Sequence, residues 1–182
     1  MYTGFEDDEL VHMDGIFDHI NFFYNLPRLL PYEDYILGLA SLMPTEEIGV
    51  WLQSLPSLII PGRYNFRFLT KTNKETQWGG AYYLHATKGN LEQLCLKAKL
   101  VDNPALFCSH VIAFSKVEPL FNFHDAFEGG DLVVSSKVPI VQIQAFCSEL
   151  RASYKIVQNP QTPEGRKAKL ATPQSEFKKS RN

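Results

Sequence analysis

From Ala81 to Gln158, short runs rich in β-branched and aromatic residues alternate with runs whose apolar residues recur at helical spacing. The strand-like runs are AYYLHATK, SHVIAFSK, DLVVSS and SYKIVQ, and the helix-like runs are NLEQLCLKAKL, EPLFNFHDAF and VPIVQIQAFCSEL. Such alternation is typical of a sheet that is covered by helices. It predicts an α+β fold in which helices pack on a mixed β-sheet.

The N-terminal part of the chain predicts three helices that precede this sheet. Apolar residues recur at helical spacing from Leu10 to Tyr24, and prolines bound two further segments, Tyr32–Leu42 and Glu46–Leu55. Thr45 is placed to cap the third helix. The run RYNFRFLT at 63–70 alternates apolar and polar residues, which predicts an antiparallel strand paired with the strand that follows.

Start and stop signals place the elements within the alternating region. Asn90 is expected to cap the helix that follows it. Pro119 suits the first turn of a short helix that Gly129 and Gly130 would end. Cys147 lies on the apolar stripe of the last helix, and we expect it to be a buried and unreactive thiol.

Length and charge predict one folded domain with two charged ends. The chain has 182 residues, 45% of them hydrophobic, and a formal net charge of −2. Residues 1–34 carry a balance of −7, and residues from 159 onward carry +4. We expect a flexible acidic N-terminus at 1–9, a single α+β domain at 10–158 and a disordered basic tail at 159–182, because the tail has almost no apolar surface to bury.

The same composition limits the partners and the location. A near-neutral chain is a poor electrostatic ligand for nucleic acid, which leaves only weak contacts through the basic tail. No apolar run reaches the length of a membrane span, and the three cysteines lack the paired spacing of a zinc or redox motif. We therefore expect a cytoplasmic protein with reduced cysteines and no membrane partner.

The turn from His85 to Asn90 is one candidate site. A strand there would place His85 and Thr87 on one face, and the amides that open the next helix, with Lys88 beside them, could bind an anion. The phosphate-loop pattern is absent, and an ordinary strand-to-helix turn with a capping Asn90 explains the same residues. The sequence leaves both interpretations open.

Tyr83, His85 and Thr87, followed by Asn90 and Leu91, form a strand and the start of a helix. This segment resembles the opening strand and helix of ADP-ribosyltransferase-like folds. The resemblance implies that His85 contacts a nicotinamide nucleotide and that a glutamate late in the chain is catalytic. Neither Glu128 nor Glu149 stands in a matching motif, so that part of the family's pattern is missing.

Histidines and carboxylates occur in three further places. One group surrounds the Gly129–Gly130 turn and contains Asn122, His124, Asp125, Glu128 and Asp131. These could bind a metal or act as an acid and base, but acidic residues beside glycines are also ordinary turn chemistry. Cys108 with His110 supplies only half of a ligand set, and His12 with His19 suits a solvated helix face. We expect no metal site and no cofactor.

Without a motif for chemistry, the sequence favours a small protein whose work is binding another protein, of the inhibitor, immunity or adaptor type. Trp78 lies in a polar, glycine-flanked loop, and an exposed tryptophan is a common interface anchor. The expected binding residues are Trp78, Tyr83, Lys88 and Asn90. The alternative is a nucleotide-using transferase in which His85 and Thr87 are catalytic.

Overall fold

The computed structural model of the protein describes residues 5–30, 35–40, 45–56, 58, 81–115 and 118–164. This part of the chain contains seven strands and five helices, one of which is a single turn. The strands are β1 (Glu9–Asp14), β2 (Ile36–Ala40), β3 (Ala81–His85), β4 (His110–Ser115), β5 (Glu118–His124), β6 (Leu132–Ser135) and β7 (Ser153–Gln158). The helices are α1 (His19–Leu29), α2 (Glu46–Ser54), α3 (Lys88–Ala98), α4 (Pro104–Phe107) and α5 (Ile140–Leu150). The predicted α+β class is confirmed.

All seven strands belong to one sheet, in the order β3-β2-β4-β5-β6-β1-β7. Every strand pairing among the described residues is antiparallel, so the prediction of a mixed sheet is wrong in that detail. Antiparallel neighbours need only short connections, and the chain passes from β4 through β5 to β6 in this way. The N-terminal strand β1 lies between the two C-terminal strands β6 and β7.

One face of the sheet carries two apolar rows that run across six strands in register. The first row is Leu84, Leu37, Ala113, Phe121, Val134 and Val11, and the second is Tyr82, Leu39, Val111, Phe123, Leu132 and Met13. All but Tyr82 are buried, and all pack in or against one core cluster. We call this side of the sheet the helix face, because α1, α2, α3 and α5 all contribute residues to that core.

Phe22 of α1 is at the centre of the core. Its ring lies 5.1 to 6.1 Å from the rings of five other phenylalanines on α1, β5, the β5–β6 turn and α5, which are Phe23, Phe121, Phe123, Phe127 and Phe146. The buried His19 ring ties α1 to α3, with Nε2 2.8 Å from the carbonyl oxygen of Ala98. Helix α1 therefore contacts the sheet through β5 and the helix layer through α3 and α5.

The predicted helix from Leu10 to Tyr24 is wrong, because the segment splits into β1 and the start of α1. Both faces of β1 are covered, so Leu10, Val11 and Met13 are all buried although they point to opposite sides. Gly15 takes a positive φ of 86° and ends the strand. The helix begins only after Asp18, whose side chain accepts a hydrogen bond from the Asn21 amide at 2.9 Å.

The predicted helix Tyr32–Leu42 is also wrong where the structure describes it. Ile36–Ala40 is strand β2, paired on both sides with β3 and β4. A Cβ at Gly38 would lie 2.9 Å from side-chain atoms of both Ile112 and Tyr83, so a residue without a side chain is needed there. Ile36–Ala40 is a short apolar run in a covered strand. The apolar positions of such a run can match helical spacing by chance, so spacing alone does not separate the two structures.

Two further predictions fail beside the candidate sites. The segment after Pro119 is strand β5, in which Phe121 and Phe123 face the core while Asn122 and His124 face away. The cap of α3 is Thr87, whose Oγ1 accepts from the Asn90 amide at 3.3 Å, so Asn90 lies inside the helix.

Other element predictions are confirmed. Thr45 caps α2, β6 and β7 lie where expected, and α5 follows Pro139. Burial raises the pKa of the Cys147 thiol to about 11, as expected for an unreactive core cysteine. The predicted strand at 63–70 lies outside the described residues.

Residues beyond the predicted 10–158 domain also pack against it. Phe5 is buried against Leu10 and Val133. The buried Asn159 side chain donates to the carbonyls of Phe5 at 3.2 Å and Asp7 at 2.9 Å. Two hydrogen bonds thus connect the residue after β7 to the segment that precedes β1. Residues 165–182 of the predicted tail lie outside the described residues.

No helix within the described part of the chain has the length and apolarity of a bilayer span.

Replacement of Gly38 by alanine should lower the free energy of unfolding by about 1 to 3 kcal/mol, because Ile112 and Tyr83 must move away from the new methyl group. Gly49 is the matched control, since a Cβ there meets nothing within 4 Å in the interior of α2. Gly49→Ala should raise stability by up to about 1 kcal/mol. Urea denaturation measures both variants, and equal effects would contradict the close approach at β2.

Asn159→Ala should destabilise the protein by about 1 to 3 kcal/mol, because it leaves the carbonyls of Phe5 and Asp7 without their donor. The neighbouring Gln158 side chain makes an exposed hydrogen bond to Glu9, so Gln158→Ala should change stability by less than about 0.5 kcal/mol. The same denaturation experiment compares the two. An Asn159 variant as stable as the Gln158 variant would show that this contact does not hold the two ends of the domain together.

Candidate functional site

The predicted anion-binding turn uses its polar groups internally. The Asn90 side chain donates to the carbonyl of His85 at 2.8 Å, and the backbone amide of Asn90 donates to Thr87 Oγ1. Lys88 lies 3.9 Å from Glu92, one helical turn later. These contacts make a capped strand-to-helix junction, and anion binding there stays a prediction.

The predicted interface anchor Trp78 lies outside the described residues.

The resemblance to ADP-ribosyltransferases requires a glutamate near His85. His85 pairs with Ile36 at one end of β2, whereas the β5–β6 turn that carries Glu128 follows His124, whose partner His110 pairs with Ala40 at the other end. Glu149 lies on α5 and forms an ion pair with Arg28 at 3.1 Å. The strand register therefore places Glu128 at the opposite end of β2 from His85, and Glu149 pairs with Arg28 rather than with His85.

The sheet face opposite the helices carries a different set of side chains, and we call it the histidine face. Asn122, Val133 and His12 form one row across β5, β6 and β1. A cleft of about 190 Å³ lies over this row. His124 and Asp125 line it from the β5 side, and His12, Gly130 and Asp131 complete its lining.

His110, His124 and Asp125 come together at the end of β4 and β5, and we call them the histidine cluster. His110 and His124 are register partners, and their rings stack with centroids 4.2 Å apart at 28°. His124 Nδ1 lies 3.0 Å from Asp125 Oδ2, and the backbone amide of Asp125 donates to His110 Nδ1 at 3.2 Å. Each side chain offers one possible metal ligand, and these three atoms all lie within 4.8 Å of one another.

The β5–β6 turn holds Asp125 in this position through an unusual backbone. Asp125 and Phe127 have positive φ values of 47° and 68°, which non-glycine residues adopt at an energetic cost. The Phe127 ring is buried, 5.1 Å from Phe123 and 5.5 Å from Phe22, so the core stabilises the turn. The amide of Ala126 also donates to the carbonyl of Ser109 at 2.7 Å. The backbone of Asp125 is thereby fixed beside the two imidazoles, and its 60% exposed side chain lies against His124.

Burial lowers the pKa of two histidines on this face, His110 and His12. It lowers the pKa of His110, and the neighbouring His124 lowers it further. Burial also lowers the pKa of His12 despite the opposing attraction of Asp131, whose Oδ2 lies 3.6 Å from His12 Nδ1. A hydrogen bond with Asp131 raises the pKa of Asp14, and burial adds to that effect. Near pH 7 the His12 imidazole is therefore neutral beside Asp131.

The sequence shows His110 and His124 but not their pairing. The register shifts by one residue between Ala113 and Phe114, where Leu120 of β5 is left without a register partner. Counting back from the Ser115–Glu118 pair without this bulge would place His110 opposite Phe123, on the wrong face of the sheet. The sequence prediction of a helix for 118–124 hid this pairing. A strand there would have made His110 and His124 candidates for neighbouring positions on adjacent strands.

A second surface, which we call the β7 edge, lies where the two apolar rows continue past the helices. Ile156 extends the first row beyond Val11, and Tyr154 extends the second row beyond Met13. Both side chains are exposed. Gln144 of α5 donates to the Tyr154 hydroxyl at 3.0 Å, and the exposed Ile140 lies one helical turn earlier. Sequence reasoning assigned no function to this strand.

Comparison of the chain with protein-family models, with characterised proteins and with solved structures finds no match. The functional argument therefore depends on the geometry of the two surfaces.

Gly130→Ala should destabilise the β5–β6 turn by about 3 kcal/mol or more, because the new Cβ would collide with the carbonyl oxygen of His124 and lie 2.7 Å from that of Asp125. Gly129 is the control, since it has a positive φ of 92° but room for a Cβ. Gly129→Ala should cost only about 1 to 2 kcal/mol. Urea denaturation measures the difference, and a cost at Gly130 no larger than at Gly129 would contradict the tight turn.

Proposed function

We propose that this protein binds another protein by accepting one of the partner's extended segments as a new strand beside β7. The observation that supports this most directly is the continuation of both apolar rows onto an uncovered strand. Ile156 is 55% exposed, although it stands in register with the buried Val11. A partner strand would extend the sheet and cover these side chains.

The backbone of β7 suits strand addition. Among the described strands it pairs only with β1, and its six register pairs run without a bulge. Alternate N–H and C=O groups of an antiparallel edge strand point away from its neighbour, where they can bond to another chain. Natural edges are often protected by proline, bulges or charge, and β7 has only Lys155 as such a feature.

The side chains of β7 define the chemistry of the partner. Tyr154 and Ile156 point to the helix face, and Lys155 between them points to the histidine face. A complementary strand would carry apolar residues opposite the first two and an acidic residue opposite Lys155. A second copy fits less well, because the antiparallel register that sets Tyr154 against Ile156 also sets Lys155 against Lys155.

Helix α5 enlarges the same surface. Ile140 and Val141 are exposed near its start, and Gln144 connects the helix to Tyr154. Aromatic and aliphatic side chains around an exposed edge are typical of interface centres, where a few residues supply most of the binding energy. Trp78 remains a predicted anchor, and the cytoplasmic location and the inhibitor, immunity or adaptor role stay predictions.

Selection of short peptides from a random displayed library tests the proposal with a defined probe. We expect the selected peptides to alternate apolar residues with a central acidic residue. Ile156→Ala should weaken binding of a selected peptide at least tenfold, which is about 1.4 kcal/mol. Leu96→Ala is the matched control, because Leu96 on α3 is 54% exposed and far from β7 in the fold, and it should bind as the wild type does.

Hydrogen exchange locates the bound peptide. The amides of β7 should gain protection in the complex, whereas those of β3, at the other end of the described strand order, should not. Equal loss in the Ile156 and Leu96 variants, or protection away from β7, would contradict strand addition. A dimer that forms without peptide and disappears in Ile156→Ala would instead identify a second copy as the partner.

A further inference from the structure

We propose that the histidine cluster binds one divalent transition-metal ion through His110, His124 and Asp125. This site is separate from the β7 edge, because it joins the ends of β4 and β5 in the middle of the sheet order. The proposal does not depend on protein binding, and either can fail without the other.

The spacing of the three side chains fits a single ion. In a tetrahedral zinc site with bonds near 2.1 Å, neighbouring ligand atoms lie about 3.4 Å apart. The distance from His124 Nδ1 to Asp125 Oδ2 is 3.0 Å, and no two of the three candidate ligand atoms are more than 4.8 Å apart. The widest side must therefore close by about 1.4 Å at most, which side-chain rotation can provide without a change of the strands.

The ligand types select the class of metal. Two imidazoles and one carboxylate suit zinc and its transition-metal neighbours, whereas Ca²⁺ and Mg²⁺ prefer oxygen ligands. Three protein ligands leave a tetrahedral ion with one further position. His124 and Asp125 both line the cleft, so that position would be reached from the cleft by water or by a small ligand.

Binding replaces contacts that the cluster already makes. Coordination by His110 Nδ1 would displace the Asp125 amide, which donates to it at 3.2 Å. Coordination by His124 Nδ1 needs the tautomer with its proton on Nε2, so the proton shared with Asp125 moves to Nε2 by exchange with water.

The turn that carries Asp125 keeps the site assembled before an ion arrives. Ala126 is fully buried, its amide is bonded to Ser109, and the Phe127 ring is fixed in the core. The backbone of Asp125 is therefore held next to the cross-strand histidine pair, and binding needs only rotation of the side chains. Such preorganisation distinguishes this cluster from exposed acidic residues that only occur near one another.

Titration calorimetry of the tag-free, full-length protein with Zn²⁺ and with Mg²⁺ tests the proposal. We expect one Zn²⁺ per chain and no measurable heat from Mg²⁺. His110→Ala and His124→Ala should each weaken Zn²⁺ binding at least tenfold. Asp125→Asn should also weaken it, and asparagine tolerates the left-handed backbone at this position.

His85→Ala is the matched control, because His85 is an exposed strand histidine at the other end of β2. It should leave affinity and stoichiometry unchanged. Zn²⁺ should also raise the melting temperature of the wild type and of the His85 variant, but not that of a His110→Ala/His124→Ala double variant. Absence of saturable Zn²⁺ binding, retained binding in the double variant, or an equal loss in His85→Ala would overturn the proposal.

Discussion

The structure depends on burying one face of an antiparallel sheet under a layer of helices. Two apolar rows cross six strands in register, and the phenylalanine cluster around Phe22 fills the space between them and α1 and α5. A shift of one residue in any strand would send its apolar side chains to the other face. The core therefore determines the register of the whole sheet.

The same register determines what the opposite face displays. Because side chains alternate along a strand, burial of Phe121 and Phe123 directs Asn122 and His124 to the histidine face. The bulge at Leu120 then aligns His124 with His110. Phe127 belongs to the core, and Asp125, two residues earlier in the same strained turn, belongs to the histidine cluster. Packing on the helix face thus stabilises the geometry of the proposed metal site.

The helix layer is narrower than the sheet, and this difference creates the β7 edge. The apolar rows continue to Ile156 and Tyr154, but α5 reaches only far enough for Gln144 to contact the tyrosine hydroxyl. A strand that is apolar on an uncovered face is a liability for a monomer and an advantage for a protein that binds by strand addition. The proposed strand-addition site uses the β7 edge of the sheet, and the proposed metal site uses its histidine face.

The sequence by itself determined the elements whose signals are local. Thr45 and Pro139 mark the starts of α2 and α5, and the β-branched runs of β6 and β7 are strands wherever they pair. It did not determine β1, β2 and β5, because short apolar runs buried on a sheet match helical spacing as well as strand alternation. Tertiary structure alone placed β1 between β6 and β7, and it alone paired His110 with His124 through a bulge. Those arrangements depend on contacts between residues far apart in the chain, and on a register that no local pattern contains.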